Sequence, residues 1–231
     1  MISIIIPVYN QAEQIKQCFD SIKKQTYNNY EIIVVNDGSS DNIGEVIENY
    51  KNKFVKFIYI SQSNQGASVT RNNGAKKAKG DYLIFCDADV IMKPEMLETM
   101  LRALENNPQS SFCYSSFFWG NKLFKLWPYD GKKLKHTPYI TTTSLIRKEH
   151  FPCFDEALKK FQDWDLWLTM LEQGHIGIWV DKILFKIQIS GTQTMSSWLP
   201  SFAYKIFPWL SQVKKYNQAK KIIQQKHGYY E

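Results

Sequence analysis

Residues 80–89 read GDYLIFCDAD, a short apolar run followed by two closely spaced carboxylates. Residues 82–86 are typical of a strand buried on both faces, because apolar side chains follow one another without alternation. Such a strand would carry Asp87 and Asp89 to its carboxyl end, the edge of an open α/β sheet at which ligands bind. Two carboxylates there suit Mg²⁺ or Mn²⁺, which leaves its other positions to water and substrate phosphate. A plain polar turn after a strand explains the same tripeptide, so the context decides.

The composition is that of a globular protein with one substantial core, since 44% of the 231 residues are hydrophobic and 22% are charged. The four cysteines lie far apart and form no CxxC pair, and Cys86 falls inside the expected core strand. This spacing favours reduced thiols in a cytoplasmic protein over a disulfide framework or a zinc site. The first residues are apolar but lack a basic leader, and no run approaches a membrane span in length. We therefore expect a soluble or peripheral protein.

The net charge of +7 is concentrated in two segments. Residues 119–136 contain five lysines and one acid, and residues 201–231 contain six lysines and one acid. The remainder of the chain is slightly acidic. The basic surface is therefore regional, which makes it more informative than an evenly spread charge.

Strands and helices alternate before residue 80. Asn10 followed by Glu13 predicts a capped start for the first helix. The short connections predict a parallel sheet flanked by helices. The predicted strands before residue 80 are 2–7, 30–35 and 54–60, the predicted helices are 15–22, 43–50 and 66–78, and further strands are expected at 111–118, 139–146 and 176–189.

Polar side chains follow several of these strands at the carboxyl edge. Tyr9 could stack on a base, and Asp37 could accept hydrogen bonds from a base N–H or a ribose hydroxyl. A turn stabilised by its own side chain explains Asp37 alone, and a solvated helix charge explains Arg71 alone. Repetition at one edge of one sheet favours a ligand site instead.

Four motifs occur in a consistent order, namely IIIPVYN, VNDGSSD, NQGASVTRNNGAKKAKGDYLIFCDAD and FQDWDLWL. Together they resemble the family 2 glycosyltransferases, which have the GT-A fold, over roughly residues 1–195. The resemblance implies a metal-dependent enzyme that moves a sugar, with inversion, from a nucleoside diphosphate sugar to a hydroxyl. Uridine is the default base, and a glycan or a lipid-linked molecule is the expected acceptor.

The resemblance also implies roles for individual residues. Asp87 would contact the ribose or the metal, and Asp89 would bind the Mn²⁺ or Mg²⁺ ion that bridges the diphosphate. Many relatives carry a histidine metal ligand in the loop that matches residues 190–196, and this chain has none there. The positions that would line the nucleotide pocket are Pro7, Tyr9, Asp37 and Arg71.

The catalytic base implied by the resemblance is Asp163, at the start of a predicted helix where the helix dipole favours a carboxylate. The family usually has Glu-Asp at this point, whereas this chain has Gln162 and Asp163. One acceptor or orientation contact is therefore in doubt, and the base is kept. Asp165 is the competing carboxylate and ranks second because it falls further into the helix.

The two basic segments allow several interpretations. Residues 119–136 mix aromatics with lysines, but they lack the pattern of a recognition helix or zinc module, so nucleic acid is not an expected partner. A flap over the acceptor, a patch touching lipid and a small second cluster remain open for this segment. Helix starts are expected at Pro200 and Pro208, and the apolar stripe from Trp209 to Tyr216 could bind an anionic membrane or pack on the domain.

We expect a GT-A domain over residues 1–199, with a nucleotide-binding half (1–92) and an acceptor half (93–199), followed by a basic amphipathic helical tail (200–231). The expected location is cytoplasmic, peripheral at the inner face of the cell membrane, with a role in polysaccharide or cell-envelope synthesis. A sugar-nucleotide pyrophosphorylase would need a glycine-rich loop where this chain has PVYNQAE. A non-catalytic binding module would have no physical reason to keep five polar site residues.

Overall fold

The computed structural model describes residues 1–189 and 209–229. Within these ranges, nine strands form one sheet that is flanked by helices. The elements in chain order are β1 (Ile2–Val8), α1 (Ala12–Lys23), β2 (Tyr30–Asp37), α2 (Ile43–Lys51), β3 (Phe57–Gln62), α3 (Ala67–Lys77), β4 (Tyr82–Phe85), β5 (Val90–Met92), α4 (Met96–Glu105), β6 (Ser110–Trp119), β7 (Lys122–Phe124), α5 (Gly131–Leu134), β8 (Leu145–Arg147), α6 (Gln162–Glu172), β9 (Ile176–Ile187) and α7 (Ser211–Lys226).

The first half of the sheet is parallel, as predicted, in the order β3-β2-β1-β4. Its two central strands, β1 and β2, are buried on both faces, which explains their uninterrupted apolar sequence. Helix α3 packs closely on this sheet because residue 74 is glycine: a Cβ there would lie 2.4 Å from Ile5 Cγ2. Because β1, β2 and β4 are parallel, their carboxyl ends lie at one edge of the sheet, and α3 packs close to that edge.

The second half of the sheet is mixed. Strand β8 pairs antiparallel with both β4 and β6, and β6 pairs parallel with β9. Strand β5, which follows Asp89 directly, pairs antiparallel with β9, and the Gln188 N–H donates to the Asp89 carbonyl at 2.8 Å. The loop that carries the two carboxylates is therefore held at both ends by the sheet.

Helix α6 is anchored by two tryptophans that are fully buried, Trp164 and Trp167. Their indole N–H groups donate to the carbonyls of Leu134 at 2.6 Å and Ile140 at 2.9 Å. Burial of a large ring together with a satisfied polar atom fixes the rotation of a helix about its axis. The start of α6, with Asp163, is consequently directed to the same edge as Asp87.

Helix α7 contacts α6 through side chains. Tyr216 meets Phe161, just before α6, with ring centroids 5.1 Å apart, and His227, just after α7, contacts Asp165 at 2.9 Å and Glu172 at 2.8 Å. The predicted apolar stripe is divided: Val213 is fully buried, whereas Trp209 is 63% exposed. The predicted helix starts at Pro200 and Pro208 lie outside the described residues. Among residues 1–189 and 209–229, no helix combines the length and apolar character needed to cross a bilayer.

Three local predictions were wrong in detail. Asn10 does not cap α1; it has a φ of 52°, and its side chain accepts a hydrogen bond from the Ser40 N–H at 2.8 Å. Strand β3 begins at residue 57 rather than 54, because the ladder with β2 starts there and Val55 is fully exposed. Residues 139–146 are strand only from 145, since Ser144 hydrogen-bonds locally to the carbonyls of residues 141 and 142.

Candidate active site

Arg71 and Asp87 form the centre of the site at the carboxyl edge of the sheet. Arg71 Nη2 on α3 donates to Asp87 Oδ1 at 2.7 Å, and the arginine is only 7% exposed. The Asp87 carboxylate keeps 38% of its side chain exposed, so it faces both the arginine and the open edge. A buried arginine with a carboxylate partner is far from the solvated helix charge that the sequence alone allowed.

Asp37 organises the loop between β3 and α3. Gln62 Nε2 and the Gln65 N–H each donate to Asp37 Oδ1 at 2.8 Å, and the Gly66 N–H donates to Oδ2 at 2.8 Å. Gly38 supports this packing with a φ of 75°, and a Cβ there would lie 2.8 Å from the Asn64 backbone nitrogen. Asp37 is therefore a buried anchor for the loop that leads into α3.

The loop after β1 is tied to the loop after β2. The Asn10 N–H donates to Ser39 Oγ at 3.0 Å, and the Ala12 N–H donates to Asp41 Oδ2 at 2.8 Å. Just before these ties, Tyr9 is 47% exposed, and Pro7 lies on β1 beside β2. An exposed aromatic ring on a fixed loop is available for stacking on a planar ligand.

The start of α6 connects the two halves of the site. Arg71 Nη1 lies 3.4 Å from Gln162 Oε1, while Gln162 Nε2 donates to the Leu158 carbonyl at 2.9 Å. The arginine therefore touches both the carboxylate loop and the helix that carries Asp163. Gln162, which stands where the resembling family usually has Glu, is thus the residue of α6 that contacts Arg71.

Two carboxyl groups in the site have raised pKa values. Burial raises the pKa of Asp89 to about 7, and the neighbouring charge of Asp87 adds to this effect. Burial also raises the pKa of Asp163, although its hydrogen bond from the Trp164 N–H and the charge of Arg71 partly oppose that rise. A carboxyl whose pKa moves toward neutrality is suited to accept a proton from a hydroxyl.

The chemistry of the donor set fits a hard divalent cation. Asp87 and Asp89 offer carboxylate oxygens on one loop, and the raised pKa of Asp89 reflects a negative charge that a cation would stabilise. Within the described ranges, no group of three or more His, Cys, Asp or Glu side chains could hold a metal ion by itself. A cation at this loop would therefore need ligands from water and from a diphosphate.

Asp165 is separated from this site. It is 2% exposed, and its carboxylate contacts Lys226 at 2.6 Å and His227 at 2.9 Å on α7. Sequence reasoning did not find this ion cluster, because its members lie about sixty residues apart. The only sequence signal was a charged residue at an inward position of an otherwise apolar helix.

The parallel half-sheet with acids at its carboxyl edge is the nucleotide-binding arrangement of the GT-A fold. The chain aligns with S. aureus TarS 1–349 in complex with UDP-GlcNAc at a TM-score of 0.75 and 20% identity, over 98% of this chain and 71% of that one. It also aligns with the mannosyltransferase PcManGT of Pyrobaculum calidifontis, in complex with GDP-Man and Mn²⁺, at a TM-score of 0.68 and 16% identity, over 83% and 57%. These matches confirm the predicted fold.

The chain belongs to glycosyl transferase family 2, an inverting family, whose model matches residues 3–165. An uncharacterised glycosyltransferase of Rickettsia felis is 30% identical over 82% of this chain and 33% of its own length. Glycosyltransferase GlyA of Streptococcus pneumoniae is 40% identical over 45% of this chain and 15% of its own length. The chain thus spans a third or less of these two relatives.

Proposed function

We propose that this chain transfers a sugar from a UDP-linked donor to a hydroxyl of a glycan or lipid-linked acceptor, with inversion at the anomeric carbon. The observation that carries the proposal is the position of Arg71, which contacts Asp87 at 2.7 Å and Gln162 at 3.4 Å. The buried Arg71 guanidinium therefore contacts both the loop that is expected to hold the donor and the helix that carries the expected base.

Asp163 is the catalytic base of this proposal. It would accept the proton of the acceptor hydroxyl as that oxygen attacks the anomeric carbon in one in-line displacement. Its raised pKa increases its basicity toward the hydroxyl, and the contact between Arg71 and Gln162 orients its helix. Positioning of this kind can supply a large share of a barrier reduction.

The donor would lie along the carboxyl edge. Tyr9 would stack on the base and Pro7 would line the pocket beside it. Asp37 would shape the pocket wall through its three hydrogen bonds, and its remaining acceptor capacity would serve the base or ribose. The structures of TarS with UDP-GlcNAc and of PcManGT with GDP-Man support a nucleoside diphosphate sugar as the ligand class.

Asp89, together with Asp87, would hold Mn²⁺ or Mg²⁺. When bound, the cation would neutralise the charge that develops on the departing diphosphate. Arg71 keeps Asp87 in place for this purpose and adds a second positive charge near the leaving group. The Mn²⁺ in the PcManGT complex supports this choice of metal.

The proposed cellular setting is the inner face of the cell membrane, where a lipid-linked acceptor of polysaccharide or envelope synthesis would be used. Residues 201–231 carry six lysines and one acid, and Lys226 is paired with Asp155 and Asp165. Each of the other lysines would contribute on the order of 1 kcal/mol near an anionic surface. The exposed Trp209 and Leu210 lie at the end of α7 that is next to the start of α6. A membrane bound there would place acceptors near Asp163.

This proposal keeps the expected division into a domain (1–199), with its halves at 1–92 and 93–199, and a tail (200–231). The test is a panel of nucleoside diphosphate sugars, each with Mn²⁺ or with EDTA. Binding is measured by thermal shift, because a ligand that binds only the native state raises the melting temperature. Release of nucleoside diphosphate is measured alongside, with Asp163→Asn as the control. Binding without any release in the wild type would favour a non-catalytic module.

A further inference from the structure

A buried ion cluster joins the last described helix to the helix that carries the expected base. Asp165 on α6 contacts Lys226, the last residue of α7, at 2.6 Å and His227, the residue that caps α7, at 2.9 Å. The second ring nitrogen of His227 contacts Glu172 at 2.8 Å, two turns further along α6. Lys226 also reaches Asp155, on the loop before α6, at 2.8 Å. Four ionic contacts therefore fasten α7 to α6 and to its approach.

The geometry favours a protonated imidazole. A neutral imidazole donates through one ring nitrogen, whereas both nitrogens of His227 face carboxylate oxygens within 2.9 Å. Burial lowers the pKa of His227, but hydrogen bonds to Asp165 and Glu172 outweigh burial, and the pKa is raised above its ordinary value. His227 is thus a charged link between two turns of one helix.

The backbone two residues before Asp163, at Phe161, has a conformation that requires stabilisation by its surroundings. Phe161, immediately before α6, has a φ of 58°, which is uncommon for a bulky residue and persists only where the surroundings hold it. Tyr216 of α7 packs edge-on against its ring, and Trp164 packs on it at 5.6 Å. Helix α7 therefore contacts α6 at its strained start and again at the ion cluster.

The cluster also reaches the rest of the site. Asp155 follows Phe154, whose backbone N–H and carbonyl are both hydrogen-bonded by the Asn72 side chain at 2.9 Å. Asn72 is the neighbour of Arg71 on α3. Lys226 therefore contacts both the loop that is hydrogen-bonded to α3, through Asp155, and helix α6, through Asp165.

We infer that Lys226 and His227 are positioning residues, which hold α6 so that Asp163 stays directed to the sheet edge. The inference rests on the proposed function, in which Asp163 is the base. It differs from a general stabilising role because both residues contact Asp165, two residues from Asp163 on the same helix. Loss of the His227 contacts would reduce turnover more than it reduces donor binding, because both acids that His227 contacts lie on α6.

The charged groups around His227 set the direction of its pH response. They are Asp165 and Glu172 on α6, Asp155 on the preceding loop and Lys226 on α7, with the Tyr229 ring stacked 6.3 Å away beneath Lys135. Three acids already face two bases, so loss of the His227 charge would enlarge the existing excess of negative charge. Turnover should therefore fall as the pH rises through the raised pKa of His227.

The first test compares steady-state kinetics of the wild type, His227→Gln and the double variant Asp165→Asn/His227→Gln. We expect His227→Gln to lower kcat by about tenfold or more, with donor KM within about twofold, because a small displacement of the base is costly. The alkaline fall assigned to His227 should disappear. In the double variant two neutral amides face each other and no unpaired charge is left between them. Most of kcat should therefore be recovered. His136→Gln, at an exposed histidine, is the matched control.

The second test needs no activity. Amide hydrogen exchange of peptides covering residues 158–172 should be faster in His227→Gln than in the wild type, and unchanged in His136→Gln. Should His227→Gln fail to fold, Lys226→Gln carries the kcat and hydrogen-exchange comparisons, because Lys226 is more exposed and its loss leaves the imidazole in place. The alkaline fall should persist in that variant.

Unchanged exchange over residues 158–172 would overturn the link itself. Faster exchange with an unchanged kcat, or a lower melting temperature alone, would reduce the cluster to a structural role. A wild type that releases no nucleoside diphosphate from any donor would instead contradict the proposed function. The exchange experiment would still decide whether α7 holds α6, so the two failures are distinguishable.

Discussion

Arg71 donates to Asp87 across 2.7 Å, from the first half of α3 to the loop that follows β4. The pair is mostly buried on the arginine side and open on the carboxylate side. A guanidinium is planar and presents several N–H groups at once, so it can bind Asp87 and Gln162 together. A primary amine in the same place would keep the charge and lose this geometry.

The first prediction follows from that geometry. Arg71→Lys should weaken UDP binding in the presence of Mn²⁺ by about tenfold or more, the scale of one lost charge-assisted hydrogen bond. Isothermal titration calorimetry measures the change. Arg102→Lys, at an exposed arginine paired with Glu98 on α4, is the control and should bind as the wild type does. Equal affinities in the two variants would remove Arg71 from the donor site.

The second prediction concerns the cation. Asp89→Asn should lose most of the Mn²⁺-dependent part of UDP affinity, because an amide is a weaker ligand for a hard cation than a carboxylate. The fold should survive, as judged by circular dichroism. Asp181→Asn, at an exposed position on β9, is the control. UDP affinity that is the same with and without Mn²⁺ in every protein would show that the metal assignment is wrong.

The third prediction separates two carboxylates on one helix. Asp163→Asn should bind donor normally and lower turnover by roughly a hundredfold or more, the usual scale for a general base. Asp165→Asn should lower turnover less, and His227→Gln should restore it, because Asp165 pairs with α7. An active Asp163→Asn beside an inactive Asp165→Asn would reverse the assignment.

The fourth prediction concerns stability and pH. A histidine whose folded pKa is raised adds stability below its unfolded pKa, and this stability is lost as the pH rises through the folded value. The free energy of unfolding of the wild type should therefore exceed that of His227→Gln most clearly below about pH 6.5. The difference should shrink at higher pH, because the raised pKa is then passed. Denaturant titrations at several pH values measure it, and a difference that grows with pH would contradict the charged link.

The fifth prediction tests the membrane surface. The wild type should sediment with anionic vesicles at low salt, and Trp209→Ala with Leu210→Ser should reduce this binding, since both side chains are exposed. Point variants are preferable to deletion of residues 201–231, which would also remove the buried Val213 and Ile223 and expose the surface that they cover. Val55→Ser, at a fully exposed apolar residue elsewhere, is the control. A wild type that ignores anionic vesicles would disprove the anchor.

The order of strands and helices up to β4 could be predicted because each apolar repeat is local in sequence. The same is true of the edge at which Asp87 and Asp89 lie, since every parallel strand ends there. Local patterns could not show that Asn10 would bond to the neighbouring loop instead of capping α1, because both uses need the same side chain. The pairing of Asp165 with His227 was equally hidden, since it depends on how α7 packs.

Gly74 of α3 packs directly over Ile5 of β1. A methyl group at position 74 would push α3 away from the sheet, since the Ile5 methyl lies 2.4 Å from its place. Arg71 sits three residues earlier on the same helix, so its guanidinium would withdraw from Asp87 and from Gln162 together. We therefore expect changes of volume in the layer beneath α3 to alter the distance between Arg71 and Asp87 while both residues themselves stay unchanged.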